Sequence, residues 1–214
     1  MDIEQLLDEQ LAKENSVERT RSGKYSPSSF HQCFRRQYWN RKDEPKTNPP
    51  DARALRIFKI GKIVHEYLQA LIPHNKEVCE KQYSDDNFTG FADHVGPDYV
   101  EDFKTVGGYK FKIISGKDAD ITVNSRDYIL QLMAYCLWFN KPIGKLTFVN
   151  KDDWNIRTFE FKLDDYREKL KEEIDTLMEY WNKQELPPAK PRLYKDNGEC
   201  RYCNFSIKNK CKKQ

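Results

Sequence analysis

The sequence predicts an α/β protein in which a mixed central β-sheet is flanked by helices. Helical and strand patterns alternate in the order helix, hairpin, helix, hairpin, helix. Turn residues mark both hairpins, Gly96-Pro97-Asp98 in the first and Asp152-Asp153-Trp154 in the second. The chain also carries 12 Phe, 12 Tyr and 4 Trp although 33% of its residues are charged. Because disordered chains are poor in aromatic residues, these rings indicate a folded core.

The first half of the chain is predicted to hold three helices and the first hairpin. Ile3, Leu7 and Leu11 recur four apart, which predicts an amphipathic helix within residues 1–24, followed by a polar connector. Ser26 or Ser28 is suited to cap a second, short helix. A third helix is predicted over 52–71, and strands over 78–94 and 99–105. Residues 25–214 are expected to form a single domain.

The second half is predicted to repeat the alternation. Residues 107–124 have the pattern of a loop with a short apolar piece, and 125–139 that of an apolar helix. The segments LTFVN and NIRTFEFK form the second hairpin. A long helix is predicted from Asp164 or Asp165 to about residue 183, and three prolines then lead into a cysteine-rich tail.

Composition and termini exclude several classes. No apolar stretch approaches the ~20 residues of a membrane-spanning helix. The acidic, amphipathic start lacks the features of a secretory signal, so a cytoplasmic protein without membrane association is expected. The net charge of +3, with both signs closely interspersed, does not by itself indicate nucleic-acid binding.

The first hairpin carries the candidate catalytic chemistry. Asp102 and Lys104 are two apart in a strand and therefore project from one face, and the turn brings Asp93 beside Asp102. Two adjacent carboxylates repel unless a cation lies between them, which suits Mg²⁺ or Mn²⁺. A metal-bound water beside Lys104 suits phosphodiester hydrolysis. Glu101 faces the other side of the strand. The alternative is a surface hairpin with an ordinary cross-strand ion pair.

Four motifs in sequence order resemble the RecB-like branch of the PD-(D/E)xK nuclease superfamily. The resemblance covers residues 25–214 and implies a restriction-endonuclease-like nuclease core. The motifs are the segment YSPSSFHQCFRRQYW at residues 25–39, Gly61-x3-His65, Asp93 with Asp102-Phe103-Lys104, and Gln131-x3-Tyr135.

The resemblance also implies roles for these residues. It assigns His65, Asp93 and Asp102 to the catalytic Mg²⁺ or Mn²⁺, places Gln131 near Lys104 and the attacking water, and places Tyr135 near the DNA phosphates. Without the resemblance, His65 has the pattern of a core histidine, and Gln131 and Tyr135 that of ordinary helix residues.

Four of the six cysteines suggest a second metal centre. Cys200, Cys203 and Cys211 form C-x2-C-x7-C, and Cys33 is the best candidate for a fourth ligand. The spacing alone leaves zinc and iron–sulfur open. The chain resembles iron–sulfur nucleases such as AddB and the CRISPR-associated exonuclease (Cas four) family, which implies a 4Fe-4S cluster that joins the two ends of the domain. Cys136, by contrast, is expected to be a small buried residue.

The resemblance implies a metal-dependent DNA exonuclease that acts on single-stranded or frayed ends. A CRISPR integrase or recombination proteins are the implied partners. A shared metal at Cys33 and Cys211 would bring Arg35, Arg36, Arg41 and Lys42 near the tail lysines 208, 210, 212 and 213. This basic rim, with Tyr38, Trp39, Tyr202 and Phe205 for stacking on bases, was expected to contact DNA. Two alternatives are a DNA-end-binding module with little activity and a zinc-stapled structural protein.

Overall fold

A computed structural model describes residues 2–16, 22–117, 119–193, 198–206 and 211. Within these ranges the chain forms a five-stranded sheet in the order β1-β2-β3-β4-β5. The central pair β3–β4 is parallel, and the other neighbouring pairs are antiparallel. The strands are β1 (Cys79–Ser84), β2 (Thr89–Val95), β3 (Tyr99–Val106), β4 (Ile143–Asn150) and β5 (Ile156–Lys162). The predicted α/β class with a mixed sheet is confirmed.

Helices precede, interrupt and follow the sheet. The longer ones are α1 (Ile3–Ser16), α2 (Phe34–Arg41), α3 (Ala52–Ala70), α5 (Gly108–Ser115), α7 (Arg126–Trp138) and α8 (Arg167–Asn182). Single turns form α4 (Asn75–Val78), α6 (Ile121–Asn124) and α9 (Gly198–Arg201), and 3-10 turns form at Pro27–Ser29 and Leu163–Tyr166. None of the helices in the described ranges combines the length and the apolar character of a membrane span.

The predicted strand over 78–94 is wrong, because it is two strands joined by a tight turn. The Asp85 carboxylate accepts hydrogen bonds from the Asn87 and Phe88 N–H groups at 2.8 and 2.7 Å. This side chain mimics a backbone turn, as aspartate often does between strands. The first hairpin of the prediction is therefore the second hairpin of the sheet, β2–β3.

The predicted loop at 107–124 is also wrong in part, since it contains α5 and α6. Asp120 caps α6 by accepting hydrogen bonds from the Thr122 and Val123 N–H groups. Because β3 and β4 are parallel, the chain must cross from one end of the sheet to the other between them. Helices α5, α6 and α7 make this crossover.

Two apolar clusters hold the fold together. The larger lies between the sheet and α7 and α8, and includes Cys136, which is fully buried as predicted. The smaller consists of Tyr38, Trp39 and Phe205, and joins α2 to the tail. Helix α1 lies on α3, where the Arg56 guanidinium binds the Asp8 carboxylate at 2.6 Å. The division of the chain at residue 24 stays a prediction.

Candidate functional site

The hairpin β2–β3 supplies the charged centre of the candidate site. Strand alternation places Asp102 and Lys104 on one face, and the Lys104 Nζ lies 2.6 Å from Asp102 Oδ2. The Phe103 N–H between them donates to Asp93 Oδ2 at 2.7 Å. The β2 carboxylate is thereby tied to the backbone of β3, directly between the acid and the lysine.

Helix α3 brings an imidazole to this centre. The His65 Nδ1 lies 3.5 Å from Asp93 Oδ2. Gly61, one turn earlier, is where the helix approaches β3 closely, because a Cβ at this position would lie only 3.2 Å from Thr105 Oγ1. The glycine of the Gly61-x3-His65 motif thus sets how near His65 comes to the sheet.

Helix α7 completes the site with an amide. Gln131 donates from Nε2 to Asp102 Oδ1 at 3.1 Å and accepts from Lys104 Nζ at Oε1 at 3.3 Å. The two ends of one side chain therefore fix the positions of the acid and the lysine relative to each other.

Burial and mutual charge perturb both carboxylates. Asp102 is only 2% exposed, and burial, opposed by Lys104 and reinforced by Asp93, raises its pKa to about 6. Burial also acts to raise the pKa of Asp93, but the hydrogen bond to His65 and the charge of Lys104 hold it below its usual value. Burial disfavours the ammonium of Lys104, yet the two carboxylates raise its pKa, so the lysine stays charged.

The side chains of the candidate site are of the types that bind a hard divalent cation. The buried Asp102 Oδ2 forms an ion pair with the Lys104 ammonium at 2.6 Å, although the angles fall short of a hydrogen bond. Asp93 lies beside it, and two buried carboxylates so close together repel each other, which a divalent ion between them would offset. Asp102, Asp93 and His65 offer the oxygen and nitrogen donors. In the structure, however, no three His, Cys, Asp or Glu side chains among the described residues are arranged to hold a metal ion.

Glu101 lies on the opposite face, as the strand pattern predicts. Its Oε1 accepts from Thr147 Oγ1 at 2.6 Å, and its Oε2 lies 3.3 Å from His94 Nδ1. Both contacts point away from Lys104, so Glu101 is separated from the candidate site by the sheet itself.

Tyr135 lies beneath the site rather than at its surface. The side chain is 2% exposed, and a Cβ at Gly90 would collide with its hydroxyl. Burial and the nearby charges of Asp102 and Asp93 raise its pKa, so the phenol stays neutral. This position supports the floor of the site and does not favour the predicted contact with DNA phosphates.

Two arginines of the predicted basic rim are buried. Arg35 is 7% exposed and donates from Nε to the Pro187 carbonyl at 2.6 Å. Arg41 is 6% exposed, with its guanidinium carbon 3.9 Å from the centroid of the Trp181 ring, and guanidinium groups stack well on aromatic rings. Arg36 is half-buried and lines a cavity beside the cysteines, whereas Lys42 is exposed.

Three of the four aromatic residues of the predicted rim are internal. Tyr38, Trp39 and Phe205 form the smaller apolar cluster, whereas Tyr202 is exposed. Tail lysines 208, 210, 212 and 213, which were predicted to join the rim, lie outside the described residues.

The four predicted cysteines meet at one place. Cys33, Cys200, Cys203 and Cys211 all line a single cavity of about 210 Å³ between α2 and the tail. Burial raises the pKa of the Cys33 and Cys203 thiols. The four thiols therefore line one cavity. In the described residues, however, they are not arranged as the predicted metal cluster that would join the termini.

Carboxylates hold this junction in the structure. Glu199 is 3% exposed, accepts from the Cys33 N–H at Oε1, and accepts from the Arg192 and Leu193 N–H groups at Oε2. Glu173 on α8 forms a bidentate ion pair with Arg192 and accepts from the His31 N–H. These buried acids join the segment around Cys33 to the tail.

Three residues beside the site were not predicted from the sequence. Asp127 and Tyr128 precede Gln131 by four and three residues, so they share its face of α7. The Tyr128 ring lies near both the Lys104 and the Lys110 ammonium groups. Helical spacing from Gln131 would have identified the first two, whereas Lys110 belongs to the helix that was predicted as a loop.

Comparison with known proteins relates the chain to others by fold. No family model matches the sequence, and no curated protein resembles it significantly. The crystal structure of SSO0001 has a similar fold, with a TM-score of 0.58 and 18% identity over 95% of this chain and 93% of that one. The alkaline exonuclease LHK-Exo of Laribacter hongkongensis matches with a TM-score of 0.51 and 12% identity, over 77% and 90% of the two chains. Its complex with dAMP gives 0.52 and 14% over the same shares. The shared property is the fold.

Proposed function

We propose that this chain is a metal-dependent deoxyribonuclease that hydrolyses phosphodiester bonds, working as an exonuclease on single-stranded or frayed ends. The observation that carries the proposal is the convergence of Asp93, Lys104 and Gln131, from two strands and one helix, on the buried carboxylate of Asp102. Support comes from the fold, which resembles that of an alkaline exonuclease, a neighbour that also binds dAMP in one of its structures.

The residues of the chain have distinct tasks in this proposal. Asp93, Asp102 and His65 would hold Mg²⁺ or Mn²⁺, which when bound makes a water more acidic and offsets negative charge on the phosphate. Lys104 orients the attacking water and stabilises the charge that develops on the phosphate oxygens. Gln131 keeps Lys104 and Asp102 in register, and Tyr135 supports the floor.

The reaction is a hydrolysis. The water oxygen forms a bond to phosphorus and loses one proton, the bond from phosphorus to the leaving sugar oxygen breaks, and that oxygen takes up one proton. Because Lys104 is held by Asp102 and Gln131 before substrate arrives, its ammonium needs little reorganisation as charge develops.

The test is digestion of end-labelled single and double strands with Mn²⁺. We expect the parent protein to release short products from ends and Lys104→Met to be slower by about 10²–10³-fold. Glu101→Gln is the matched control, because Glu101 is a neighbouring acid on the opposite face, and it should cleave like the parent. Parent-like cleavage by Lys104→Met, or cleavage that survives chelation, would contradict the proposal.

We also propose that Cys33, Cys200, Cys203 and Cys211 bind a 4Fe-4S cluster with a structural role. Support comes from four thiol donors around one cavity and from the sequence resemblance. After anaerobic purification, the protein should contain iron and sulfide in equal amounts. Cys203→Ser should lose them, and Cys136→Ser, at a buried cysteine remote from the cavity, should not. Zinc in place of iron would overturn the assignment of the cluster.

The wider setting is proposed on the resemblance alone. A nuclease of this kind would act in CRISPR adaptation, with an integrase as partner, or in recombination and repair of phage or host DNA. Co-purification with an integrase or a recombinase tests this setting, and capture of neither would count against it.

A further inference from the structure

The aromatic ring of Tyr128 lies beside the candidate site. It lies 6.3 Å from the ring of Phe148, the fully buried β4 residue paired with Lys104. Two ammonium groups lie near the Tyr128 ring. The Lys104 Nζ is 5.1 Å and the Lys110 Nζ 5.0 Å from its centroid. The two cations are therefore no more than about 10 Å apart.

The position of Lys110 is electrostatically unfavourable without a further negative charge. The residue lies in the first turn of α5, where the helix dipole presents its positive end. In the described part of the chain, no carboxylate comes within ion-pair distance of its Nζ, and burial lowers its pKa. The charge of Asp127 acts on both lysines. Lys104 also has Asp102 and Asp93 as partners, whereas Asp127 is the acid whose charge acts on Lys110.

An anion with regularly spaced negative charges would offset the repulsion between the Lys104 and Lys110 ammonium groups. A DNA strand presents one phosphate per nucleotide, so a strand with one phosphate at Lys104 brings others close by. We propose that Lys110 contacts a second phosphate of the substrate strand, adjacent to the one at Lys104. A lysine acts on phosphate as a point charge, so this contact is independent of base sequence. The inference rests on the proposed function and adds a second phosphate subsite to it.

A substrate with a single phosphate separates this role from a general effect on catalysis. Bis(p-nitrophenyl) phosphate is a phosphodiester with one phosphate and no neighbour. Lys110→Met should therefore lower the cleavage of DNA at limiting concentration and leave cleavage of this small diester like that of the parent. Equal losses on both substrates would overturn the inference, because Lys110 would then act through Lys104 or through the fold.

Binding provides the second readout. With a fluorescent single-stranded oligonucleotide and no divalent ion, Lys110→Met should raise the Kd about three- to tenfold at low salt and reduce the slope of log Kd against log salt by about 0.7. Lys112→Met is the control, since Lys112 lies on the same helix with its side chain exposed. Lys110→Arg should restore the slope, and Lys110→Gln serves if the methionine variant fails to fold. A slope like that of the parent in Lys110→Met or Lys110→Gln would overturn the inference.

Failure of the proposed function gives a different result. A parent protein that neither cleaves nor binds DNA would refute both proposals. A parent that cleaves DNA, with Lys110 and Lys112 variants that behave alike, would refute the second phosphate subsite and leave the nuclease intact.

Discussion

Replacing Glu199 by glutamine tests whether buried carboxylates hold the tail to the domain. Glu199 accepts from the Cys33 N–H at 2.7 Å, the Arg192 N–H at 2.8 Å and the Leu193 N–H at 3.0 Å. A glutamine has only one accepting oxygen. The orientation that keeps the two bonds of Oε2 turns the amide NH₂ towards the Cys33 N–H, so at least one bond is lost.

The expected cost follows from these three bonds. A hydrogen bond to a charged group contributes about 1.5–3 kcal/mol and a neutral one about 0.5–1.5 kcal/mol. Glu199→Gln loses one charged bond and weakens two others to neutral strength, so the free energy of unfolding should fall by about 3.5–6 kcal/mol. For a domain of this size, Tm should fall by roughly 7–24 °C.

Calorimetry under anaerobic conditions measures the loss, and hydrogen exchange locates it. The amides of Cys33 and Leu193 should exchange faster in Glu199→Gln. Glu185→Gln is the control, because Glu185 is exposed, and its stability should stay within about 0.5 kcal/mol of the parent. Unchanged stability and unchanged exchange in Glu199→Gln would refute the reasoning, because the three N–H groups would then have other acceptors.

Three further changes test the fold and the metal site. Gly90→Ala should lower the free energy of unfolding by about 1–3 kcal/mol in urea titrations, because its Cβ collides with the Tyr135 hydroxyl; unchanged stability would mean that the ring moves aside. Arg41→Lys should cost about 1–3 kcal/mol in the same titrations, since lysine loses both the stacking on Trp181 and the Nε bond to Gly23; a parent-like midpoint would contradict this. Mn²⁺ at about 100 times its Kd should stabilise the parent by about 2.7 kcal/mol, and Asp102→Asn should abolish that shift in thermal scans. An equal shift in both proteins would place the ion elsewhere.

The candidate site could be predicted from the sequence where its residues follow the periodicity of a strand or of a helix. Asp102 and Lys104 share a face because strand side chains alternate, and Gln131 and Tyr135 share one because helical positions four apart are neighbours. The structure brings Asp93, Asp102 and Lys104 together as the hairpin pattern predicts, and it places His65 and Gln131 beside them as the resemblance implies. Their catalytic roles stay predictions.

The predictions that were wrong concerned features that depend on contacts between distant segments, or features with weak or overlooked local signals. Arg35 and Arg41 belong to a basic cluster in the sequence, but the Pro187 carbonyl and the Trp181 ring, which lie far along the chain, bury them. The strand break at Asp85 did have a local signal, because the run Ser84-Asp85-Asp86-Asn87 is typical of a turn. Helix α5 begins at two glycines, which favour a loop prediction, and with the helix missed, Lys110 was missed too.

The parallel pairing of β3 with β4 has a consequence for how such a protein can change. The Gln131 amide and the Tyr128 ring, which contact Lys104 from outside its hairpin, both belong to the segment that crosses from β3 to β4. Because the same segment contains α7, whose apolar residues fill the core against the sheet, the surroundings of Lys104 and the packing of the fold have to change together.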